Sequence, residues 1–180
     1  MAAEERSCYV YIQLPGAVET VPCASLKVRR IGAGAYEGTF TYGKRYLERD
    51  GVIPLDPFHL PLTTRPLRFT KLKGLPGAVR DASPDAWGRR VIQARLQRPE
   101  ASIEEMDYLL HGPDDGAGNL SFGRTLEPPA PRRPFNRTHQ LAALIDAAHK
   151  LEEHGQLPHA LLEALEPGTS LGGARPKVTV

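Results

Sequence analysis

Cys8-Tyr9-Val10-Tyr11-Ile12-Gln13-Leu14-Pro15-Gly16 opens the stretch that decides the fold, which continues through Leu26-Lys27-Val28-Arg29-Arg30-Ile31-Gly32-Ala33-Gly34 to Tyr36-Glu37-Gly38-Thr39-Phe40-Thr41-Tyr42. Three segments rich in β-branched and aromatic residues, Tyr9 to Leu14, Leu26 to Ile31 and Tyr36 to Tyr42, are separated by Pro15-Gly16 and by Gly32-Ala33-Gly34. Proline and glycine at those breaks supply turns, and apolar runs this short between turns are strands. The expectation is a small antiparallel meander.

Downstream the pattern changes. Pro54, Pro57, Pro61 and Pro66 rule out a continuous helix or a central strand between Gly51 and Pro66. That segment is predicted to run extended over the sheet surface, with Phe58, Leu60 and Leu62 packing in alternation. Helices take over after Asp81. Ser83 and Pro84 form an N-cap and first-turn pair, and Trp87, Val91 and Ala94 recur at helical spacing to about Gln97. A second helix is predicted from Ser102, which has capping-box spacing to Glu105, with Ile103, Met106, Leu109 and Leu110 inward and a stop at Gly112-Pro113. The turn Asp114 to Gly118 leads to a short strand, Asn119 to Gly123. Pro128, Pro129, Pro131 and Pro134 with Arg132 and Arg133 read as a linker. A third helix follows from Thr138, with Leu141, Leu144, Ile145 and Ala148 on one face, and Pro158 starts a shorter one through Leu165.

The totals narrow the class. At 180 residues and 41% apolar composition the chain has enough material to bury a core without staples. With 23 Lys+Arg against 21 Asp+Glu, bulk charge gives no reason to expect direct binding to nucleic acid or to an anionic membrane. Cys8 and Cys23 show no metal-ligand spacing and read as buried thiols of a cytoplasmic protein. Met1 to Ser7 is charged, without the apolar core of a secretory signal, and no apolar run approaches a membrane span.

Chemistry is concentrated in two places. The first is Thr169-Ser170-Leu171-Gly172-Gly173-Ala174-Arg175-Pro176-Lys177-Val178-Thr179-Val180. A glycine pair lets backbone N–H groups approach a phosphate, and Lys177 adds positive charge beside it. Gly168 and Gly173 have P-loop spacing, yet Ala174 and Arg175 stand where Lys and Ser or Thr belong, so a Walker site is rejected. The second is Asp81-Ala82-Ser83-Pro84-Asp85-Ala86-Trp87-Gly88-Arg89-Arg90. It reads as a capped helix start with Trp87 buried at a corner between the β-rich part and the helices. In the competing reading Arg89, Arg90, Arg95 and Arg98 face an acidic partner or a nucleic-acid backbone. Asp114 and Asp115 lack the further oxygen ligands of a calcium loop. His139, His149, His154 and His159 lack zinc pairing, and Ser83, Ser121 and Ser170 lack a nucleophile-elbow context.

Taken together, four pieces resemble the N-terminal portion of HipA-type toxin kinases, the serine/threonine kinases of toxin–antitoxin operons. They are Phe40 to Leu47 followed by Ile53-Pro54-Leu55; Gly77 to Arg90; Tyr108-Leu109-Leu110 with Gly118 to Gly123; and Ser170 to Lys177. The family mostly has Gly-Ala-Leu where this chain has Gly118-Asn119-Leu120. The resemblance implies an α+β fold: a small antiparallel β-rich subdomain over 5–105, then a helical segment over 106–180 leading into the start of a kinase-like N-lobe. It implies ATP and Mg2+ as cofactors of a complete kinase. Gly172, Gly173, Ala174 and Lys177 would form the loop over the nucleotide, and Ser170 would be the autophosphorylated serine. The catalytic and magnesium-binding aspartates belong to a later lobe, so the expectation is no catalytic or metal residue in this chain and no activity of it alone. Implied partners are a HipB-like helix-turn-helix antitoxin or a separate kinase subunit, with an aminoacyl-tRNA synthetase as the class of protein substrate. The rival is a stand-alone binding module that regulates a separate kinase of this type.

Overall fold

The segments read as a meander form adjacent antiparallel strands: β1 (Glu5–Gln13), β2 (Thr20–Gly32) and β3 (Ala35–Tyr42). The computed structural model describes residues 5–112, 114, 116–128 and 141–154. Two further strands, β4 (Leu67–Phe69) and β5 (Leu120–Gly123), complete a five-stranded sheet in the order β4-β3-β2-β1-β5. With its helices the fold is α+β. Strand β2 begins well before Leu26, because the register shifts between Val10 and Tyr11 and leaves Cys23 as an extra residue beside Pro22. A bulge is one of the few places where a proline fits inside a sheet.

Alternation then sorts the side chains. One row crosses the sheet as half-buried Leu67 followed by buried Phe40, Leu26 and Cys8, and the next, buried throughout, as Tyr42, Ala24, Val10 and Phe122. Helix α1 (Lys44–Leu47) adds Tyr46, whose ring stacks on Tyr42 at 5.8 Å while Phe40 meets Tyr42 edge-on at 5.0 Å. Two glycines sit at close approaches that bear on the sheet. A Cβ on Gly38 would fall on the Gly74 carbonyl, so β3 and the turn Leu72–Gly74 touch backbone to backbone. A Cβ on Gly123 would come within 2.5 Å of the Tyr11 hydroxyl oxygen, which donates to the Thr125 carbonyl.

The described residues divide into two units, drawn from Met1–Ser83 with Asp114–Ala130 and from Pro84–Pro113 with Pro131–Val180. The sheet, α1 and α2 (Gly77–Asp81) belong to the first. The second holds α3 (Ala86–Leu96), α4 (Glu105–Leu110) and α5 (Leu141–His154). Trp87 and Val91 of α3 pack against Leu144, Ala147, Ala148 and Leu151 of α5, whose spacing is that of one helix face. Ile92, Ile103 and Tyr108 form a second cluster.

Several local expectations shift. Asp85, not Ser83, caps α3, its carboxylate accepting from Gly88 N at 2.8 Å. The second helix starts at Glu105, and its capping box is Glu104 with Asp107. Ser102 instead donates to the Pro99 carbonyl, and Glu105 is committed elsewhere. Ile145 faces solvent and Ala147 takes its place inside. Of the alternating trio only Leu60 is buried, while Phe58 and Leu62 are exposed. Thr138 and the segment Pro158 to Leu165 lie outside the described residues.

Candidate functional site

Ser170, Gly172, Gly173, Ala174 and Lys177 also lie outside the described residues. What the structure does build is the helix start read within Asp81 to Arg90, with Trp87 packed inside the helical unit against α5. Trp87 is fully buried as expected, and its Nε1 has no hydrogen-bond partner among the described residues. Arg89 turns inward. Its guanidinium forks onto Glu105, with Nη1–Oε1 at 3.1 Å and Nη2–Oε2 at 2.6 Å, donates from Nε to the Pro84 carbonyl, and lies 4.2 Å over the Tyr108 ring. Arg98 donates to the Ser102 carbonyl and lies 3.6 Å from the buried Asp107. These two arginines hold α3 and the turn after it to α4, so they do not form a free face for an acidic partner. Of the acidic residues that receive them, Glu105 reads in the sequence only as part of a capping box, and Asp107 gives no signal there.

The loop between α1 and β4 carries a second construction. The Asp56 carboxylate accepts from the backbone N–H of Phe58 at 2.8 Å and of His59 at 3.0 Å, and its other oxygen lies 2.8 Å from His59 Nδ1. Those bonds, His59 N–H first, hold the Asp56 carboxyl below its ordinary range. The Tyr42 hydroxyl accepts from Leu55 N–H and donates to the Leu60 carbonyl, and the Tyr46 hydroxyl donates to the Ile53 carbonyl. The turn is thus fixed from within and from below. Its product is Phe58, held 88% exposed at the tip.

A third feature is backbone strain. Leu72 and Lys73 have φ of 51° and 56°, followed by Gly74 at 83°. For the two non-glycine residues the left-handed region costs about 1–2 kcal/mol each, which the Gly38–Gly74 contact and the flanking strand offset. The thiols, by contrast, are inert packing. Burial pushes both Cys8 and Cys23 from 9.0 to about 12, and Cys23 Sγ points at the Val10 carbonyl.

Sequence comparison now fits the geometry. The pattern describing the HipA N-terminal domain matches residues 25–123, more than half of the chain. This chain belongs to the HipA N-terminal domain family. The match starts inside β2 and ends on the last residue of β5, so the HipA domain here includes a strand, β1, that precedes the matched span yet sits between β2 and β5. No curated protein and no solved structure matches it. The departure at Asn119 is explained by its backbone: φ is 56°, next to Gly118 at 72°, a conformation asparagine tolerates better than alanine. Among the described residues no helix is long and apolar enough to cross a membrane.

Proposed function

We propose that the chain is the N-terminal part of a HipA-type serine/threonine protein kinase, the toxin of a toxin–antitoxin pair. The family match across β2 to β5 carries the reading. In it, the sheet unit supports and docks the kinase, while Gly172, Gly173, Ala174 and Lys177 close over the phosphates of ATP and Ser170 receives phosphate. Magnesium and activation of the protein hydroxyl come from a second lobe. A HipB-like antitoxin is the restraining partner, and an aminoacyl-tRNA synthetase the class of substrate.

The test supplies a HipA-type second lobe in trans with labelled ATP and magnesium. Phosphate is expected on Ser170 and is expected to be lost in Lys177→Ala. A chain that neither associates with that lobe nor takes up label would overturn the reading. One observation favours a second reading, a binding module that restrains a separate kinase: Phe58, presented on a turn fixed by Asp56 and Tyr42. There the chain added to an intact HipA-type kinase lowers its activity, and Phe58→Ala relieves the effect.

A further inference from the structure

Strand β4 ends the sheet, and among the described residues nothing pairs with its outer edge. The chain along that edge is basic. Arg65, Arg68, Lys71 and Lys73 are all exposed, with no acidic residue between them. Arg65, Arg68 and Lys71 make no side-chain hydrogen bond or ion pair among the described residues, whereas on β2 Lys27 is paired with Glu5 and Arg29 with Glu37. Arg68 lies opposite Thr39, on the face away from the row of Leu67 and Phe40. Just beyond, the left-handed turn holds Leu72 53% exposed between two lysines.

We propose that this edge takes up an extended acidic segment of a partner protein as an additional strand. Its main chain pairs with Leu67–Phe69. Its carboxylates meet Arg65, Arg68 and Lys71, and an apolar side chain rests on Leu72. Side chains on neighbouring strands stand about 5 Å apart on one face, within reach of an arginine. A phosphodiester backbone could meet the cations, but it offers nothing to the open main-chain donors and acceptors of β4 or to Leu72. Edge pairing of this kind takes affinity from the backbone and selectivity from alternate side chains. The proposal does not depend on the kinase reading.

The test uses the full 180-residue chain and a labelled peptide of alternating glutamate and valine. A peptide of alternating lysine and valine and a short DNA duplex serve as competitors in kind. Fluorescence anisotropy is expected to show binding of the acidic peptide that weakens with salt, together with slower amide exchange at residues 67–69. Reversing charge in Arg68→Glu with Lys71→Glu is expected to lower affinity about tenfold or more, as removal of steering and paired charge does elsewhere. Should that variant fail to fold, Arg65→Gln and Lys71→Gln lie outside β4 and are each expected to weaken binding about threefold. The proposal is overturned if the acidic peptide does not bind, if exchange at 67–69 is unchanged, if the variants bind like the parent, or if the duplex binds more tightly. In the first case the cations serve only to keep other strands off the edge.

Discussion

The sheet unit and the helical unit solve the burial of polar groups in opposite ways. In the sheet the buried polar atoms are neutral: tyrosine hydroxyls at positions 11, 42 and 46 bond to backbone, and Cys23 points at a carbonyl. In the helices they are charged: Arg89 forks onto Glu105, and Asp107 both caps α4 and faces Arg98. Neutral bonds to backbone specify where a loop runs and lose little when the solvent changes. A buried ion pair specifies which helix faces which, and it becomes a liability when one partner goes.

The strongest break in the comparison is on the sheet side. Gly38→Ala drives a methyl into the Gly74 carbonyl, and neither backbone can retreat without unpairing β3. We expect a loss of about 4 kcal/mol or more, at the extreme of single substitutions, read as failure to fold or a collapsed melting temperature. Gly77→Ala, with nothing within 4 Å of the new methyl, is the control and should be neutral to stabilising by up to about 1 kcal/mol. On the helical side Trp87→Ala empties a fully buried site against α5 and should cost about 3–5 kcal/mol by denaturant unfolding. Glu105→Ala strands the Arg89 guanidinium and should cost about 3 kcal/mol, while the apolar pair Arg89→Met with Glu105→Leu should recover most of it. If Glu105→Ala is silent, the contrast between the units fails. Asp85→Ala removes the α3 cap, with an expected loss of about 1 kcal/mol.

The smallest effect at neutral pH is the most selective. Both thiols should resist a disulfide reagent in the native chain at pH 8. Their folded values near 12 lie above the ordinary 9.0, so the unfolded chain loses these protons first. Their contribution is intact below pH 9 and is lost as pH rises from there toward 12. Tyr42, also raised to about 12 by burial, and Tyr11 and Tyr46, raised by the same cause, move in the same direction. Alkaline titration, monitored by tyrosine absorbance, should therefore destabilise the sheet above about pH 9 and leave it undisturbed in the neutral range.

How much of this was legible follows from the range of the forces. The meander was, because Pro15-Gly16 and Gly32-Ala33-Gly34 are local signals and the strands between them alternate. The start of β2 was not: Pro22 argues against a strand until the bulge at Cys23 makes room for it. The capping residues near Ser83 and Ser102 were misplaced by two residues each, since Asp85 and Glu104 compete for the same role and Glu105 is drawn off by an arginine 16 residues away. That Phe58 faces solvent could not be read from alternation, because Asp56 and Tyr42 impose the turn. The nucleotide loop carried over from the family lies where the structure describes nothing.

Tyr11 bears on the order of events during synthesis. Its ring closes over Gly123 and its hydroxyl meets Thr125, a partner 114 residues later in the chain. At the ribosome β1 is made first and can pair with β2 at once, but its other edge stays open until β5 emerges, several seconds or more at about 5–20 residues per second. Through that interval an apolar strand is a target for stray pairing and for chaperones. Among the described residues the last strand to arrive is also the one that seats the tyrosine, so the first and last of these strands share one residue.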